Sequence, residues 1–263
     1  MKKEDIACNG CLCFSCKEKG QYEDCECPCP SFPNPSGIVI GCCLRGTHST
    51  SKTAAEYCRE YGISSLYHIT PLENIPSILQ YGLKCHEYAN KDGLLRYSCS
   101  DANVQDLRKD KFLGGMNAYY YVPLFFSEKP PMLWNIEHNK EHFGRVIVYI
   151  CIGGEIIGKK GIYFSDGNIA SQSTKAYSNL SDLNKLDWES IRMWNPEKLG
   201  SKEATRIKSA EVLVPFVISP SWFQKVIVPD REAKAELESS VTESISIEIK
   251  PEFYFTVRGH RRY

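Results

Sequence analysis

"YHITPLENIPSILQYGL", residues 67–83, changes its period partway along. Its start continues "SSLYHIT", a short β-rich run in which His68 and Thr70 stand two apart, so a strand turns both side chains to one face. From Leu72 onward, Leu72, Ile75, Ile78 and Leu79 recur at three- and four-residue spacing, and Gly82 stands where a helix would end. Pro76 is tolerated in a first turn but not in a helix interior, so the helix is expected to begin between Glu73 and Ile75. The stretch thus sets a strand carrying polar groups directly against a helix of ordinary core character. On the residues alone, His68 reads as a satisfied buried histidine.

Working outward, "SKTAAEYCREYG" reads as a short helix with Ser51 as candidate N-cap and Gly62 at its end. Downstream strand candidates are "YYYVPLFFS" (119–127), "RVIVYICIG" (145–153), "GIYFSDGNIA" (161–170, running into an Asp-Gly turn), "SAEVLVPFVI" (209–218) and "WFQKVIVPD" (222–230). "SISIEIKPEFYF" (244–255) alternates polar with apolar residues and completes the core. Strands dominate, helices are few and short, and no βαβ rhythm repeats, which points to an α+β fold.

The 263 residues are 42% hydrophobic and 24% charged, a soluble globular composition with room for one large domain, or a medium one with a small annex. No apolar run approaches the roughly 18 residues of a membrane span. "MKKEDIACNG" has lysines but no apolar stretch behind them, so no signal peptide is expected and the chain reads as cytoplasmic. Net charge is zero, so any attraction to nucleic acid must come from local patches such as the basic tail "TVRGHRRY", 256–263.

Thirteen cysteines occur, and nine of them (Cys8, Cys11, Cys13, Cys16, Cys25, Cys27, Cys29, Cys42 and Cys43) crowd the first 50 residues. That segment lacks apolar periodicity and is broken by prolines, so it cannot bury a core and needs a metal to staple it. Pairs such as Cys8-x-x-Cys11 and Cys13-x-x-Cys16 suit thiolates gripping one tetrahedral ion. Zinc is the first expectation, an iron–sulfur cluster the second and disulfides the third. Nine ligands do not divide into two four-ligand sites. His48 is a further candidate ligand, or a solvated loop residue.

No P-loop, GxGxxG or HExxH motif is present. Five blocks in order, "LYHITPLENIPSILQYGL", "YVPLFFSEKPPMLW", "YFSDGNIASQSTKAYSNLSDLNKLDW", "KSAEVLVP" and "IEIKPEFYF", together resemble the DarT family of DNA ADP-ribosyltransferase toxins across residues 64–255. The resemblance implies an ADP-ribosyltransferase-like mixed or antiparallel β core over 51–255. The Cys-rich module (1–50) and the tail (256–263) lie outside it.

The resemblance implies NAD as co-substrate, with His68, Ile69, Thr70, Ser77, Tyr121 and Phe126 at the cofactor. Glu211, in "KSAEVLVP", matches the family's catalytic glutamate, a carboxylate able to stabilise positive charge developing on the ribose. Glu203 and Glu189 are its neighbours in sequence, and the bland reading of Glu211 is a strand-edge residue facing water. Arg108, in "SDANVQDLRKDKF", matches an arginine that helps remove the proton from the attacking base. Arg96 is the second choice, and a charged helix face is the bland reading.

The long polar stretch after Tyr163 would form the substrate-recognition region, anchored by Asp166, Asn168 and Trp188. Without the family, Asp166 is turn chemistry and Trp188 core packing. Tyr119 to Tyr121 and Phe125 suit stacking on a base or nicotinamide, or simply a buried strand.

The function implied is mono-ADP-ribosylation of thymine in single-stranded DNA, as the toxin of a toxin–antitoxin or phage-defence pair, with a macrodomain hydrolase as antitoxin. RNA is the alternative substrate. The rival from another class is a non-catalytic nucleic-acid-binding protein on a degenerate transferase fold.

Overall fold

Residues 52–142, 144–193 and 201–255 are described by the computed structural model. The N-terminal cysteines, Ser51 and the basic tail lie outside the described residues. In chain order the first half comprises α1 (Ala54–Glu60), β1 (Ser65–Pro71), α2 (Ile75–Tyr81), β2 (Leu83–Lys84), α3 (His86–Lys91), α4 (Ala102–Lys109), β3 (Phe112–Leu113), β4 (Met116–Asn117), β5 (Tyr121–Phe125) and α5 (Pro131–His138). The second half comprises β6 (Ile147–Gly153), β7 (Tyr163–Ser165), β8 (Ala176–Tyr177), α6 (Trp188–Arg192), α7 (Lys202–Lys208), β9 (Glu211–Pro215), β10 (Val217–Ile218), β11 (Phe223–Val228), α8 (Arg231–Ser240) and β12 (Ser246–Ile249). The α+β expectation is met.

Eight strands form one sheet in the order β12-β11-β6-β1-β5-β9-β7-β8. Only the β11–β12 pair is parallel; the other pairs are antiparallel. The "VIVYICI" run explains β6 as the keystone. Residues Ile147 to Ile152 are all buried, because helices and loops cover both sheet faces. Val148, Ile150 and Ile152 join Leu66, Leu124 and Val212 in the larger core, against Cys58 of α1, Ile75 and Leu79 of α2 and Leu237 of α8. Tyr149 and Cys151 point the other way, into a cluster with Ile69, Phe125 and Leu133 of α5.

The strand-to-helix switch in residues 67–83 is present. A turn of 3-10 helix at Leu72–Asn74 leads into α2, and Pro76 sits in its first turn. Gly82 ends α2 at φ +85°, and a Cβ there would come within 2.8 Å of the Ile218 carbonyl, so no larger residue fits. The cap of α1 is Thr53, not Ser51. Its hydroxyl accepts from Glu56 N while the Glu56 carboxylate accepts from Thr53 N, closing a capping box.

"SAEVLVPFVI" is two strands rather than one. Phe216 takes φ +61° between β9 and β10, held there by N–H donation to the Tyr120 carbonyl (2.9 Å) and acceptance from Cys85 N (2.7 Å). A bulky residue in that region costs roughly 1–3 kcal/mol, which the two bonds offset. The kink turns β10 out of the main sheet to pair with β2.

Candidate functional site

The β1 and β5 strands share one register pair, Tyr67↔Phe125, and no more. Pro123, which has no N–H to donate, lies beyond that pair. Where the next rung would be, His68 Nδ1 lies 3.1 Å from the Pro123 carbonyl. A carbonyl only accepts, so Nδ1 carries the hydrogen and Nε2 is left as an acceptor when the ring is neutral. Burial lowers the His68 pKa below its ordinary value, which favours that neutral form. The divergence of the two strands opens a cavity of about 710 Å³, lined by His68, Ile69, Thr70, Ser77, Arg108, Asn168 and Glu211 among others.

Thr70 and Ser77 reach this wall through Asn74, a residue that periodicity alone assigns to a helix start. Buried Asn74 donates from Nδ2 to Thr70 Oγ1 (3.1 Å) and to the Tyr97 carbonyl (2.8 Å), and its Oδ1 accepts from Arg96 N and Tyr97 N. Ser77 Oγ donates to the Asn74 and Leu94 carbonyls. The 94–100 segment is thereby stapled to β1 as the opposite lip of the cavity. The sequence signal for Asn74 was its place four residues after Thr70, within reach of it.

On the far side, Glu211 opens β9 opposite Phe125. Its Oε2 is 2.9 Å from Arg108 Nη1, and its Oε1 accepts from Ile169 N at 2.9 Å. Arg108 Nη2 donates to the Ala118 carbonyl at 3.3 Å. Arg108 and Glu211 are 4% and 3% exposed, so this ion pair is withheld from water more fully than the other ion pairs among the described residues. Charges buried this way are stable only when paired and hydrogen-bonded, and both are. A fixed carboxylate and guanidinium at a cavity wall can stabilise developing charge without reorganising. Arg96 is exposed and Glu189 lies on the surface, while exposed Glu203 pairs with Arg206. None of the three lines the cavity.

Four residues expected at the site, Tyr121, Phe126, Asp166 and Trp188, do not line the cavity. Tyr121 donates its hydroxyl to the Leu113 carbonyl (3.3 Å) and packs edge-on against Tyr163, in a separate apolar cluster. Phe126 meets half-buried Trp188 in a T-shaped contact with centroids 5.2 Å apart. Trp188 also stacks on Tyr61 and donates Nε1–H to the Leu183 carbonyl (2.8 Å), so its polar handle is satisfied within the core. Asp166 is turn chemistry: its carboxylate binds Lys175 N and Arg206. Phe125 lines the cavity, whereas Tyr119 and Tyr120 join Tyr88 and Phe216 in a half-exposed run of ring contacts.

Cys99 also lines the cavity, but burial pushes its thiol up to about 12, so it is no nucleophile at neutral pH. Among the described residues, no group of three or more His, Cys, Asp and Glu side chains is placed to hold a metal, and no helix is long and apolar enough to cross a membrane.

Residues 67–255 match the family model described as "ssDNA thymidine ADP-ribosyltransferase, DarT". A DNA ADP-ribosyl transferase–DNA ADP-ribosyl glycohydrolase fusion protein of Thermosipho africanus (strain H17ap60334) is 26% identical over 197 residues, which cover 72% of this chain and 49% of that protein. The chain therefore spans about half the length of that relative. A DNA ADP-ribosyl transferase of Thermus sp. (strain 2.9) is 28% identical over 162 residues, covering 57% of this chain and 73% of the relative.

Among solved structures, Thermus sp. 2.9 DarT in complex with ADP-ribosylated ssDNA shares the fold with a TM-score of 0.65 at 22% identity, over 74% of this chain and 97% of that one. Thermosipho africanus DarTG in complex with ADP-ribose does so at 0.63 and 24% identity, over 73% and 51%. The family's model begins within β1, at the residue before His68, and ends at Phe255, so it takes in both walls of the cavity. The chain belongs to the DarT family.

Proposed function

We propose that the protein is an NAD-dependent ADP-ribosyltransferase that modifies thymidine in single-stranded DNA, and that the cavity between β1 and β5 receives NAD. The observation that carries this reading is the buried Arg108–Glu211 pair at the wall facing His68 and Thr70. The cavity, at about 710 Å³, falls within the roughly 300–1,000 Å³ that cofactor-sized ligands occupy. NAD supplies an activated ribose whose bond to nicotinamide breaks, nicotinamide leaving with that bond's electron pair, while the bond to the acceptor base forms and the base gives up its ring N–H proton to solvent. Glu211 stabilises the positive charge that develops on that ribose, and its hydrogen bond from Ile169 N keeps the carboxylate aimed. Arg108 holds Glu211 and faces the incoming base. His68 and Thr70 orient the cofactor from the opposite wall, His68 through its free Nε2.

One relative supports a setting for this activity. The Thermosipho protein joins a DNA ADP-ribosyl transferase to a DNA ADP-ribosyl glycohydrolase, and a glycohydrolase that removes the same adduct is the partner proposed here, as antitoxin to a toxin acting in the cytoplasm. The N-terminal cysteines are proposed to bind zinc, on the thiolate pairing of Cys8-x-x-Cys11 and Cys13-x-x-Cys16.

The test is incubation of the full chain with NAD labelled in its adenylate part and four acceptors: single-stranded DNA with thymidine, the same DNA without it, duplex DNA and RNA. Label confined to the thymidine-bearing single strand is expected. Label on RNA alone would move the substrate assignment. Nucleic-acid binding with no label anywhere would leave the non-catalytic alternative standing.

A further inference from the structure

Arg206, on α7, makes a set of contacts out of proportion to a surface helix residue. Its Nε and Nη2 meet the two oxygens of Glu203 at 3.0 and 2.7 Å. That leaves Nη1, which donates to the Asp166 carbonyl (3.2 Å), to Asp166 Oδ1 (3.0 Å) and to Thr174 Oγ1 (3.2 Å). Asp166 and Thr174 stand at the two ends of the loop between β7 and β8. The Arg206 carbonyl in turn accepts from Asn168 N at 2.9 Å. Gly167 lies so close that an added Cβ would fall on Arg206 side-chain atoms and within 2.9 Å of its carbonyl oxygen, so the loop is pressed onto this one residue.

The loop's other two functional contacts lie between those ends. Asn168 lines the cavity, and Ile169 donates its N–H to Glu211 Oε1. Ser165, just before the loop, donates its hydroxyl to the Gly167 carbonyl (2.6 Å) and accepts from Glu211 N (3.2 Å). A chain of contacts therefore runs from Glu203 through Arg206 and the loop backbone to the Glu211 carboxylate.

We infer that Arg206 is a positioning residue. It clamps the loop from Asp166 to Thr174 so that the Ile169 amide holds the Glu211 carboxylate and Asn168 stays at the cavity wall. The inference rests on the reading of Glu211 as the catalytic carboxylate, but the clamp itself is a property of the loop. Only a planar fork can serve Glu203 on two nitrogens and the loop on the third, so lysine, a compact point charge, cannot replace it. Misplacement of a catalytic group by about 1 Å costs on the order of 100-fold in rate, and that loss falls on turnover rather than on cofactor affinity.

The experiment compares wild type, Arg206→Lys, Asp166→Asn and Thr174→Val on the full chain. It measures the kcat of transfer to single-stranded DNA, the Kd for NAD by direct titration, and hydrogen exchange of the Ile169 amide. Arg206→Lys should lower kcat about 10- to 100-fold and speed Ile169 exchange, while the Kd for NAD stays within roughly threefold of wild type. Asp166→Asn keeps an acceptor oxygen for Nη1 and should retain most of the turnover. Thr174→Val, which removes one contact and keeps the shape, should lower kcat in the same direction by less, and it carries the test if Arg206→Lys fails to fold.

A folded Arg206→Lys protein with wild-type turnover or unchanged Ile169 protection overturns the inference. So does an equal loss of kcat and NAD affinity, which would mean general scaffolding. Absence of transfer by the wild type would instead sink the functional reading, and Ile169 exchange would still decide the clamp.

Discussion

Arg108 Nη1 and Glu211 Oε2 lie 2.9 Å apart, 103 residues apart in sequence, and almost wholly out of water. The α4 helix supplies the cation and the first residue of β9 the anion, so the pair ties the first half of the chain to the second at the cavity wall.

Removing one partner of such a pair strands a buried charge, whereas removing both relieves it. Arg108→Met should therefore lose about 3–5 kcal/mol of folding stability. The double variant Arg108→Met with Glu211→Gln should recover more than half of the loss, because glutamine still accepts from Ile169 N without carrying charge. Urea unfolding of the three proteins checks this; equal stability of the single and double variants would refute it.

His68 is expected to work as a neutral ring. Its folded pKa is lowered by burial, so the unfolded chain takes up a proton near the ordinary value of 6.5 while the folded protein does not. The stability His68 contributes is then complete above that pH and is lost as pH falls from 6.5 toward the lowered folded value. Unfolding free energies at several pH values for wild type and His68→Gln should converge with acidification in that window. His68→Ala should weaken NAD binding by about tenfold, the worth of one hydrogen bond, as titration calorimetry can read.

Lys208 offers a second pH test, away from the cavity. Buried Nζ donates to Ser127 Oγ (2.9 Å) and the Ile191 carbonyl (2.8 Å), and desolvation brings its pKa down to about 8 from 10.5. Between those values the unfolded chain keeps a proton that the folded protein gives up, so stability should rise with pH from about 8 to 10.5. Lys208→Met should lack that rise. Ser127 already donates to the same carbonyl at 2.7 Å, so the variant leaves no orphaned group and should fold normally. A rise of equal size in both proteins would contradict the assignment.

Residues 67–83 were legible because two periods meet there, and the Thr53–Glu56 capping box was equally open to reading, though Ser51 competes with it by composition. Phe216 was not legible: nothing in "VPFVI" announces a positive φ, which tertiary hydrogen bonds impose. The α8 helix escapes a periodicity reading because it buries little beyond Ala233 and Leu237. Aromatic residues are ambiguous in sequence for a physical reason. Tyr121, Phe126 and Trp188 suit a ligand contact and a packed core equally, and their packing against Leu113, Tyr61 and Leu183 depends on the folded chain rather than on sequence pattern. Arg206, within "KEATRIK", reads as a solvated helix face, since its partners Asp166 and Thr174 lie 40 and 32 residues away.

The N-terminal cysteines should hold at least one zinc ion per chain, with thiolate ligands drawn mainly from Cys8 to Cys29. Elemental analysis of protein purified without added metal measures it. Iron with sulfide would redirect the assignment to a cluster, and folded, metal-free protein would remove it.

The most direct test of the central claim is Glu211→Gln, followed by paired measurement of NAD affinity and of transfer to thymidine in single-stranded DNA. Glutamine keeps the volume and the bond from Ile169 N but carries no charge to meet the developing ribose cation. Transfer should fall on the order of 100- to 1000-fold while NAD binds as tightly as to wild type. Near wild-type transfer by a folded Glu211→Gln protein would contradict the claim.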